Sequence, residues 1–430
     1  MTASQDETFS LEKFEYLCYS RQQEPAAREL IRLLMLIDQQ YGQLPTAFSL
    51  QASPAIPLAE LGQHMLTRAT SAISALLSDP SFHVSPSGFG QLMHYQRWLA
   101  ALFAASHFIH ADHILRSLNL GGPRSEMFSL KSQDLAKFCL LYSPESELPL
   151  DVAALWAQNK PLAAALFLAL MSPRFLGTPA AHSKREALLS WLPDRLHELD
   201  SLEGLPVGVL HDVYMHCSYA DLPQRHRIKG AINQLLLKQL QAEGLTDLQH
   251  GGGGRVHGKP VMLVLLEWFT GSHSIYRTHS KTLEAARRHF HLVAMGYATN
   301  IDALGSTVFD EFIPFEQPSD LMGNLRALCD TAQARQPQVF YMPSVGMFPI
   351  TMFAANLRVA PLQVAALGHP ATTGSSQIDY ISVEEDFVGD PTCFNEQLLR
   401  LPADGQPYRP SAQSFSVPRL ERHDRPVVNV

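Results

Sequence analysis

The sequence predicts an all-α region followed by an α/β region with a parallel sheet. From about residue 8 to residue 245, apolar residues recur at helical spacing and strand-like alternation is nearly absent. After a glycine-rich segment at 250–260, short apolar runs alternate with helical patterns, which is the order of βαβ units. We therefore predict an all-α domain at 1–250 and a doubly wound α/β lobe at 251–425.

The predicted helices of the first domain each carry one apolar face. The stretch QLMHYQRWLAALFAA (91–105) places its apolar residues on one side of a helix, and AINQLLLKQLQ (231–241) repeats the pattern. Proline and glycine divide the region into many helices of ordinary length, without a repeat of fixed 34-residue period. The apolar stretch PLAAALFLALM (161–171) is too short to cross a bilayer and predicts a buried helix.

The segment HGGGGRVHGKP (250–260) separates the two domains, and its composition predicts a flexible boundary or turn. Gly253, Gly258 and Lys259 match the glycines and lysine of a phosphate-binding loop. However, Pro260 replaces the hydroxyl residue that binds magnesium, and the segment precedes a strand instead of linking a strand to a helix. We therefore exclude a P-loop here.

Six apolar runs of the second domain are the predicted strands. The apolar core of the first run is typical of a parallel strand covered on both faces, and the order of strands and helices argues for a parallel βαβ sheet. Helical patterns follow the third run (LMGNLRALCDTAQA) and the fourth (ITMFAANLRVA). The runs are LVLLEWF (263–269), HLVAMG (291–296), VFDEFIPF (308–315), QVFYMPS (338–344), PLQVAALG (361–368) and IDYISVEE (378–385).

The polar decapeptide GSHSIYRTHS (271–280) follows the first apolar run, and we interpret it as a βα loop. Ser280 is the predicted N-cap of a helix over TLEAARRHFHLVAM (282–295), whose last residues also fit the second strand. Ligands of open α/β sheets bind beyond the carboxyl ends of the strands. The decapeptide is therefore expected at a binding edge.

Three loops share this carboxyl edge if the sheet is parallel, and we expect them to converge on one crevice. They follow the strands LVLLEWF, QVFYMPS and PLQVAALG. Their polar residues form a dense set of donors and possible bases. The alternative is that each residue caps a helix or binds water. The set comprises His273, His279, Ser344, His369, Thr372 and Thr373.

Composition excludes several classes of partner and site. The formal charge is −8, with 33 Lys and Arg against 41 Asp and Glu, so a nucleic-acid partner is not expected. The five cysteines lie far apart without a C-x-x-C pair, which favours a reducing compartment over a disulfide framework. The polar amino terminus is unlike a secretory signal. We predict a cytoplasmic protein without a membrane span.

No motif indicates a metal or a dinucleotide cofactor. His211 and His216 bracket Asp212 in LHDVYMHCSY, but histidines five residues apart on a helix point to different faces. A G-x-G-x-x-G fingerprint, a G-x-S-x-G elbow and a D-x-D pair are all missing. The sequence predicts metal-free chemistry in a polar crevice.

Eight strings in the chain closely resemble the bacterial cytoplasmic N-glycosyltransferases that modify high-molecular-weight adhesins. The resemblance begins at about residue 60. It implies a GT-B fold, similar in its catalytic core to the O-GlcNAc transferases, with an all-α amino-terminal domain. It also implies inverting, metal-independent transfer of glucose or galactose from a UDP-sugar to Asn in N-x-(Ser/Thr) sequons. The strings are YQRWLA, ADHIL, HDVYMHCSY, KPVMLVLLE, HSIYRTHS, FYMPSVGM, LGHPATT and LLRLP.

The resemblance also implies a role for individual residues. His279 would be the catalytic group beside acceptor and donor, either as a base or by orienting the substrate. A second set would line the groove for the acceptor polypeptide. No cofactor is implied besides the donor sugar nucleotide. The acceptor set is His273, His211, Asp212, His216, His369 and Tyr41.

The chain is expected to supply the acceptor side of such an enzyme. PVVNV (426–430) resembles the first strand of a second GT-B lobe, which would carry most of the UDP pocket and is otherwise absent from the sequence. His273, His279 and His369 are then expected to face water. A peptide-binding or scaffolding fragment without catalysis is the alternative function, and a nucleotide-dependent oxidoreductase is disfavoured by the missing glycine fingerprint.

Overall fold

The computed structural model describes residues 9–40, 42, 58–125, 128–249, 251–316, 319–369, 371–405 and 407–410. Two predictions lie outside these residues. They are the acceptor contact of Tyr41 and the strand at 426–430, with the second lobe that it would begin.

Twelve α-helices occupy the described residues between 9 and 242. Strands are absent from this part of the described chain, which confirms the predicted helical region. The helices are α1 (Leu11–Tyr19), α2 (Gln23–Gln39), α3 (Leu58–Ser78), α4 (Pro86–His94), α5 (Gln96–Ala105), α6 (Asp112–Leu118), α7 (Leu135–Leu141), α8 (Val152–Gln158), α9 (Lys160–Met171), α10 (Pro179–Trp191), α11 (Val207–His216) and α12 (Arg227–Ala242).

Helix α9 lies at the centre of the helical region. Its residues from Ala163 to Met171 are all buried, as predicted for PLAAALFLALM. The Asn159 side chain caps its amino end by accepting from Leu162 N, 3.1 Å away. Helices α7, α8, α10 and α11 pack around it, so α9 has no solvent face. Among the described helices, none is long and apolar enough to cross a membrane.

Residues 251–260 of the glycine-rich segment join the sheet region through a tight turn between two short strands, and their flexibility stays a prediction. Strand β1 (Arg255–Val256) pairs antiparallel with β2 (Lys259–Leu265) through a tight turn. His257 and Gly258 make the turn with φ of 49° and 81°. Gly254 packs so closely on Arg335 O that a Cβ there would overlap it. The glycines therefore permit close backbone packing.

Among the described residues, seven parallel strands form the sheet in the order β4-β3-β2-β5-β6-β7-β8. The short strand β1 pairs antiparallel with the start of β2. This confirms the six predicted strands and adds an edge strand, β8, that was not predicted. After β2 the elements are α13 (Ser274–Ala286), β3 (His291–Gly296), α14 (Ala303–Ser306), β4 (Glu311–Pro314), α15 (Leu321–Arg335), β5 (Val339–Met342), α16 (Pro349–Ala354), β6 (Leu362–Ala366), β7 (Tyr380–Glu384) and β8 (Gln397–Leu401).

Helix α13 begins earlier and ends earlier than predicted. Its N-cap is His273, whose Nδ1 accepts from Ile275 N at 3.3 Å, and not Ser280. It ends at Ala286, and Val293 lies in β3, where it pairs with Leu263 of β2. The reason is packing, because Ile275 and Leu283 are both buried in the cluster on one sheet face. The decapeptide is therefore mostly helix.

The chain reverses its winding direction between β2 and β5. Strands β3 and β4 extend the sheet to one side of β2, and β5 to β8 extend it to the other side. The carboxyl ends of β2 and β5 are therefore the topological switch point of the sheet, beside which ligands of open α/β sheets bind. This is the edge at which the polar loops were predicted to meet.

Candidate functional site

The loops after β2, β5 and β6 converge as predicted. Gly368, just after β6, donates its N–H to Pro343 O at 3.2 Å. A Cβ added to Gly368 would stand 2.7 Å from both Ser344 Cβ and Ile275 Cδ1. The three loops therefore touch one another, and only a glycine fits where they meet.

A buried carboxylate, Glu267, organises the loop after β5. Its Oε1 accepts from the backbone N–H groups of residues 346, 347 and 348 at 3.0, 2.8 and 3.0 Å. The Thr351 hydroxyl also donates to Oε1, and the Ser344 hydroxyl donates to Oε2 at 2.6 Å. Five donors thus fix a loop that also forms the amino end of α16.

Glu267 was not predicted as a residue of the site, although the sequence contains a signal for it. It is 2% exposed and lies two residues beyond the end of strand β2. Burial raises the pKa of its carboxyl group, while the five donors oppose that rise. An acid within a run that must be buried needs partners, so KPVMLVLLEWF itself predicts a polar network.

A second buried carboxylate, Glu396, holds the loop after β6. It accepts from Thr372 Oγ1 at 2.8 Å and from Thr373 N at 2.7 Å, and the Thr373 hydroxyl also donates to it. Both threonines were predicted to line the crevice as available donors. That prediction is wrong for their hydroxyls, because each is already bonded to Glu396.

Side chains of the helical region also donate hydrogen bonds to the loop after β6. Lys229 Nζ donates to Thr372 O at 2.8 Å, and Asn233 Nδ2 donates to Thr373 O at 3.1 Å. The Tyr214 hydroxyl bonds Thr373 O as well. Lys229 is fully buried, which lowers its pKa to about 8. Helices α11 and α12 are therefore joined to the sheet edge by directed hydrogen bonds.

Helix α11 forms one wall of the crevice. Gly346, in the loop after β5, has φ of 116°, and a Cβ there would stand 2.6 Å from Tyr214 Cδ1 and 3.2 Å from Met215 Sδ. This close approach sets α11 against the sheet edge. His211, Asp212 and His216 all lie on this helix, beside the converging loops.

Asp212 is the centre of a charged network in that wall. Arg97 donates to Asp212 and, at 2.8 Å, to Asp38 Oδ1, which also accepts from Trp98 Nε1 at 2.6 Å. His211 Nε2 lies 3.5 Å from Asp212 Oδ1. Within the described chain, the buried atoms His211 Nδ1 and Arg97 Nε have no hydrogen-bond partner.

His216 and His369 are held by polar partners of the helical region. His216 Nδ1 lies 2.6 Å from Ser172 O, and His369 Nε2 lies 3.1 Å from Ser218 Oγ. Burial, with Lys229 nearby, lowers the pKa of His369 to about 2. Both imidazoles are therefore neutral at physiological pH.

His273 and His279 occupy the sheet side, on α13 and its cap. His273 is half-buried and stacks on Trp268 with ring centroids 5.9 Å apart. His279 is 4% exposed, and burial lowers its pKa to about 4. The expectation that His279 faces water is wrong, because the earlier start of α13 turns it to the packed side of the helix.

The described residues also enclose clefts beside this edge. A cleft of about 730 Å³ lies between α12 and the β6–β7 loop, and Arg227, Asn233 and Thr372 are among its lining residues. A pocket of about 270 Å³ lies near Tyr297 and Phe348 at the switch between β2 and β5. The larger cleft was not predicted.

In the part of the chain that the structure describes, no group of three or more His, Cys, Asp and Glu side chains is arranged to hold an ion. His211 and His216 bind different partners, as their spacing on one helix requires.

Two family models match the helical region. The HMW1C N-terminal model matches residues 8–148, and the HMW1 domain 2 model matches residues 153–240. A UDP-glucose:protein N-β-glucosyltransferase from Actinobacillus pleuropneumoniae serotype 5b (strain L20) is 40% identical, covering 97% of this chain and 68% of the relative. The chain belongs to the HMW1C-type family of glycosyltransferases. This confirms the resemblance found in the sequence.

Further comparisons give the same family and a distant structural likeness. The corresponding enzyme from serotype 7 (strain AP76) of the same species is also 40% identical over 97% of the chain. A mutant O-GlcNAc transferase from Thermobaculum terrenum gives a TM-score of 0.36 at 13% identity. That alignment covers 93% of this chain and 58% of the other chain, so this chain spans less than two thirds of that structure.

In this HMW1C-type chain the two family models together end at residue 240, within α12. The sheet region lies beyond both models but within the 40% identical alignment. The contacts of Lys229, Asn233 and Tyr214 with the Thr372–Thr373 carbonyls join these two parts.

Proposed function

We propose that the chain takes part in transferring glucose from UDP-glucose to asparagine side chains of a protein acceptor. The 40% identity with UDP-glucose:protein N-β-glucosyltransferases over 97% of the chain carries this proposal. The bond from the anomeric carbon to UDP breaks with its electron pair leaving on the diphosphate, a bond to the amide nitrogen forms, and the nitrogen releases its proton to solvent. We further propose inversion at that carbon, no metal, N-x-(Ser/Thr) sequons, and UDP-galactose as a second donor.

The proposed acceptor crevice lies between α11 and the loops after β2, β5 and β6. An amide nitrogen is a poor nucleophile, so the site must orient it in line with the anomeric carbon. On the α11 wall, Asp212 can accept from main-chain N–H groups of the acceptor polypeptide, while Arg97 Nε, a donor without a partner in the described chain, can bond a main-chain carbonyl oxygen of the acceptor. His211 Nδ1, also without such a partner, can join this network.

His279 is the proposed catalytic residue, acting by orientation of the acceptor amide. A general base works best with a pKa near the working pH, and a pKa of about 4 makes His279 a weak base. Its neutral ring still donates one hydrogen bond and accepts another. Because 4% of the side chain is exposed, it would touch substrate through one edge of the ring.

The other proposed acceptor contacts surround this position. His273 lies at the cap of α13, and His216 and His369 lie where the helical region meets the loop after β6. We also propose Tyr41, which lies outside the described residues, as an acceptor contact. All three histidines have lowered pKa values because they are partly buried, so they would recognise the acceptor as neutral groups.

The donor pocket is proposed to lie mainly outside this sequence. The relatives are longer, since the chain covers 68% of their length. We propose an all-α domain at 1–250, a GT-B lobe at 251–425 that supplies the acceptor side, and a second lobe starting at 426 that would bind UDP. A cytoplasmic location is proposed with these assignments.

Two measurements test this function. Mass spectrometry would follow hexose addition to an Asn-x-Thr peptide, with a Gln-x-Thr peptide as the control, for this chain extended by the segment that completes the relatives. Transfer to the asparagine peptide alone is expected, and chelator should not change it. A folded extended chain without transfer would refute the proposal.

Titration of UDP into the 430-residue chain should give a dissociation constant in the millimolar range or weaker, which corresponds to a binding free energy of about −4 kcal/mol. Micromolar affinity would refute the placement of the donor pocket.

The relatives' names do not favour a non-catalytic scaffolding fragment. The same assay separates the two functions, because a scaffold would bind the peptide without ever modifying it.

A further inference from the structure

Two large aromatic side chains stand exposed beside α11. Phe175 is 76% exposed and Tyr219 is 48% exposed, and their ring centroids are 6.2 Å apart. The Arg174 guanidinium lies over both rings, 5.0 Å from the Phe175 centroid and 5.6 Å from the Tyr219 centroid. We call these three residues the aromatic platform. Exposed clusters of this kind mark interaction sites more often than isolated apolar residues do.

The backbone beneath the platform is rigidly held. Arg185 is 1% exposed, and its guanidinium donates to Pro173 O at 3.3 Å and to Tyr219 O at 3.1 Å. His216 Nδ1 also bonds Ser172 O. A buried cation therefore ties together the two segments that carry the exposed rings. Because the backbone is already held, binding at these side chains costs little conformational entropy.

Several exposed arginines of the helical region pair with carboxylates, whereas Arg174 does not. Arg28, Arg195 and Arg227 each pair with a carboxylate, respectively Glu24, Glu198 and Asp194. Arg174 has no ion pair or hydrogen bond within the described residues. Its charge is thus available to an anionic group from outside, while the flanking rings supply apolar contact area.

The platform is continuous with the proposed acceptor crevice. The Tyr219 ring lies 6.0 Å from the His216 ring. Ser218, the preceding residue, bonds His369 at the loop after β6. A polypeptide whose asparagine lies in the crevice would therefore pass the platform a few residues away.

We propose that the aromatic platform binds an acidic side chain of the acceptor polypeptide near the glycosylated asparagine. This rests on the proposed function for its acceptor, and it adds a sequence preference outside the sequon. The carboxylate pairs with Arg174, and the neighbouring main chain and side chains pack on Phe175 and Tyr219. Tyrosine and arginine are the residue types that most often dominate such contacts.

Fluorescence anisotropy tests the platform without requiring turnover. Two labelled Asn-x-Thr peptides would differ at one flanking position, with Asp in one and Asn in the other. Wild type should bind the Asp peptide about two- to fivefold more tightly, as for an exposed ion pair, and 0.5 M salt should reduce the difference. Arg174→Gln should abolish the preference and leave the Asn peptide unchanged. Phe175→Ser should weaken both peptides about tenfold.

Arg195→Gln is the matched control. It removes an exposed guanidinium that also stacks on a ring, that of Trp191 at 5.7 Å, but is paired with Glu198. This variant should keep the preference for the Asp peptide. Circular dichroism would confirm that all variants are folded.

Three results would overturn the proposal. The first is that the preference for the Asp peptide survives Arg174→Gln. The second is that UDP displaces the Asp peptide from the wild type but not from the Arg174→Gln variant, which would make the platform a phosphate site. A dimer that Phe175→Ser dissociates would make it an interface between copies. The function itself fails separately if the peptide preference holds but the extended chain transfers no sugar.

Discussion

The two walls of the proposed crevice satisfy their buried carboxylates in different ways. On the helical wall, Asp212 pairs with the charged guanidinium of Arg97, which also holds Asp38. On the sheet wall, Glu267 and Glu396 are surrounded by hydroxyl and backbone N–H donors.

This difference suggests different tasks. The neutral donors of each sheet-wall carboxylate come from one loop, so the carboxylate determines the backbone path of that loop. The charged pair instead links a side chain of α5 to one of α11, and it leaves His211 Nδ1 and Arg97 Nε without partners in the described chain. We infer that the sheet wall fixes the shape of the site and that the helical wall recognises the acceptor. The predictions below test this division.

His279→Ala should produce the largest effect, a loss of sugar transfer of about two to four decades in the extended chain. The sheet wall is proposed to position the reacting amide, so the loss should appear in kcat. Initial rates at saturating peptide and UDP-glucose measure it. His289→Ala, which removes an exposed histidine beyond the end of α13, is the control. Near-normal kcat in the folded His279 variant would remove it from the mechanism.

Glu267→Ala should lower the free energy of unfolding by about 3–5 kcal/mol, because it removes the shared acceptor of five donors, of which Gly346 N and the Thr351 hydroxyl keep a second acceptor. Urea unfolding followed by circular dichroism measures the change. Glu267→Gln should cost less, since it keeps the shape and one acceptor oxygen. Glu60→Ala, at an exposed position of α3, is the control and should change stability by under about 0.5 kcal/mol. Equal stability of the Ala variant and wild type would show that the loop needs no carboxylate.

The sequence predicted the central strands well because both of their faces are covered. The run VMLVLL (261–266) is continuously apolar, and the structure buries every residue from Val261 to Leu265. The edge strand β8 has mostly exposed residues, so no apolar run indicates it. The start of α13 was missed because Ile275 and Tyr276 lie among polar residues that resemble a loop.

The site could be predicted only in outline. Convergence of the loops follows from parallel topology, so it could be deduced from the order of elements. The partners of Thr372 and Thr373 could not, because Glu396 lies beyond the next strand in sequence. The platform was also missed, since Arg174 and Tyr219 come together only through helix packing.

Acid should destabilise the protein through His369 by about 2 kcal/mol between pH 6.5 and pH 5. Its pKa falls from the ordinary 6.5 to about 2 on folding, so in this range the unfolded chain binds a proton that the folded chain does not. One such group contributes about 1.4 kcal/mol per pH unit, and stability rises with pH up to 6.5. Urea unfolding at several pH values measures the slope. His369→Asn should reduce the slope of stability against pH by the contribution of one proton, about 1.4 kcal/mol per pH unit. An unchanged slope would mean that His369 is protonated in the folded chain.

Asp212→Asn should have the smallest effect, a rise of about tenfold in the KM for peptide, equivalent to about 1.4 kcal/mol. The amide keeps the shape of the side chain but loses the charge that pairs with Arg97, so recognition weakens while Asp38 still holds the guanidinium. The KM for UDP-glucose and kcat should stay within about twofold, because the sheet wall is intact. Asp194→Asn removes a more exposed partner of an arginine, Arg227, and should change neither constant. An unchanged peptide KM in a folded Asp212 variant would reduce this network to a structural hydrogen bond. If Asp212→Asn instead destabilised the fold as much as Glu267→Ala, both walls would be structural, and acceptor recognition would have to lie elsewhere.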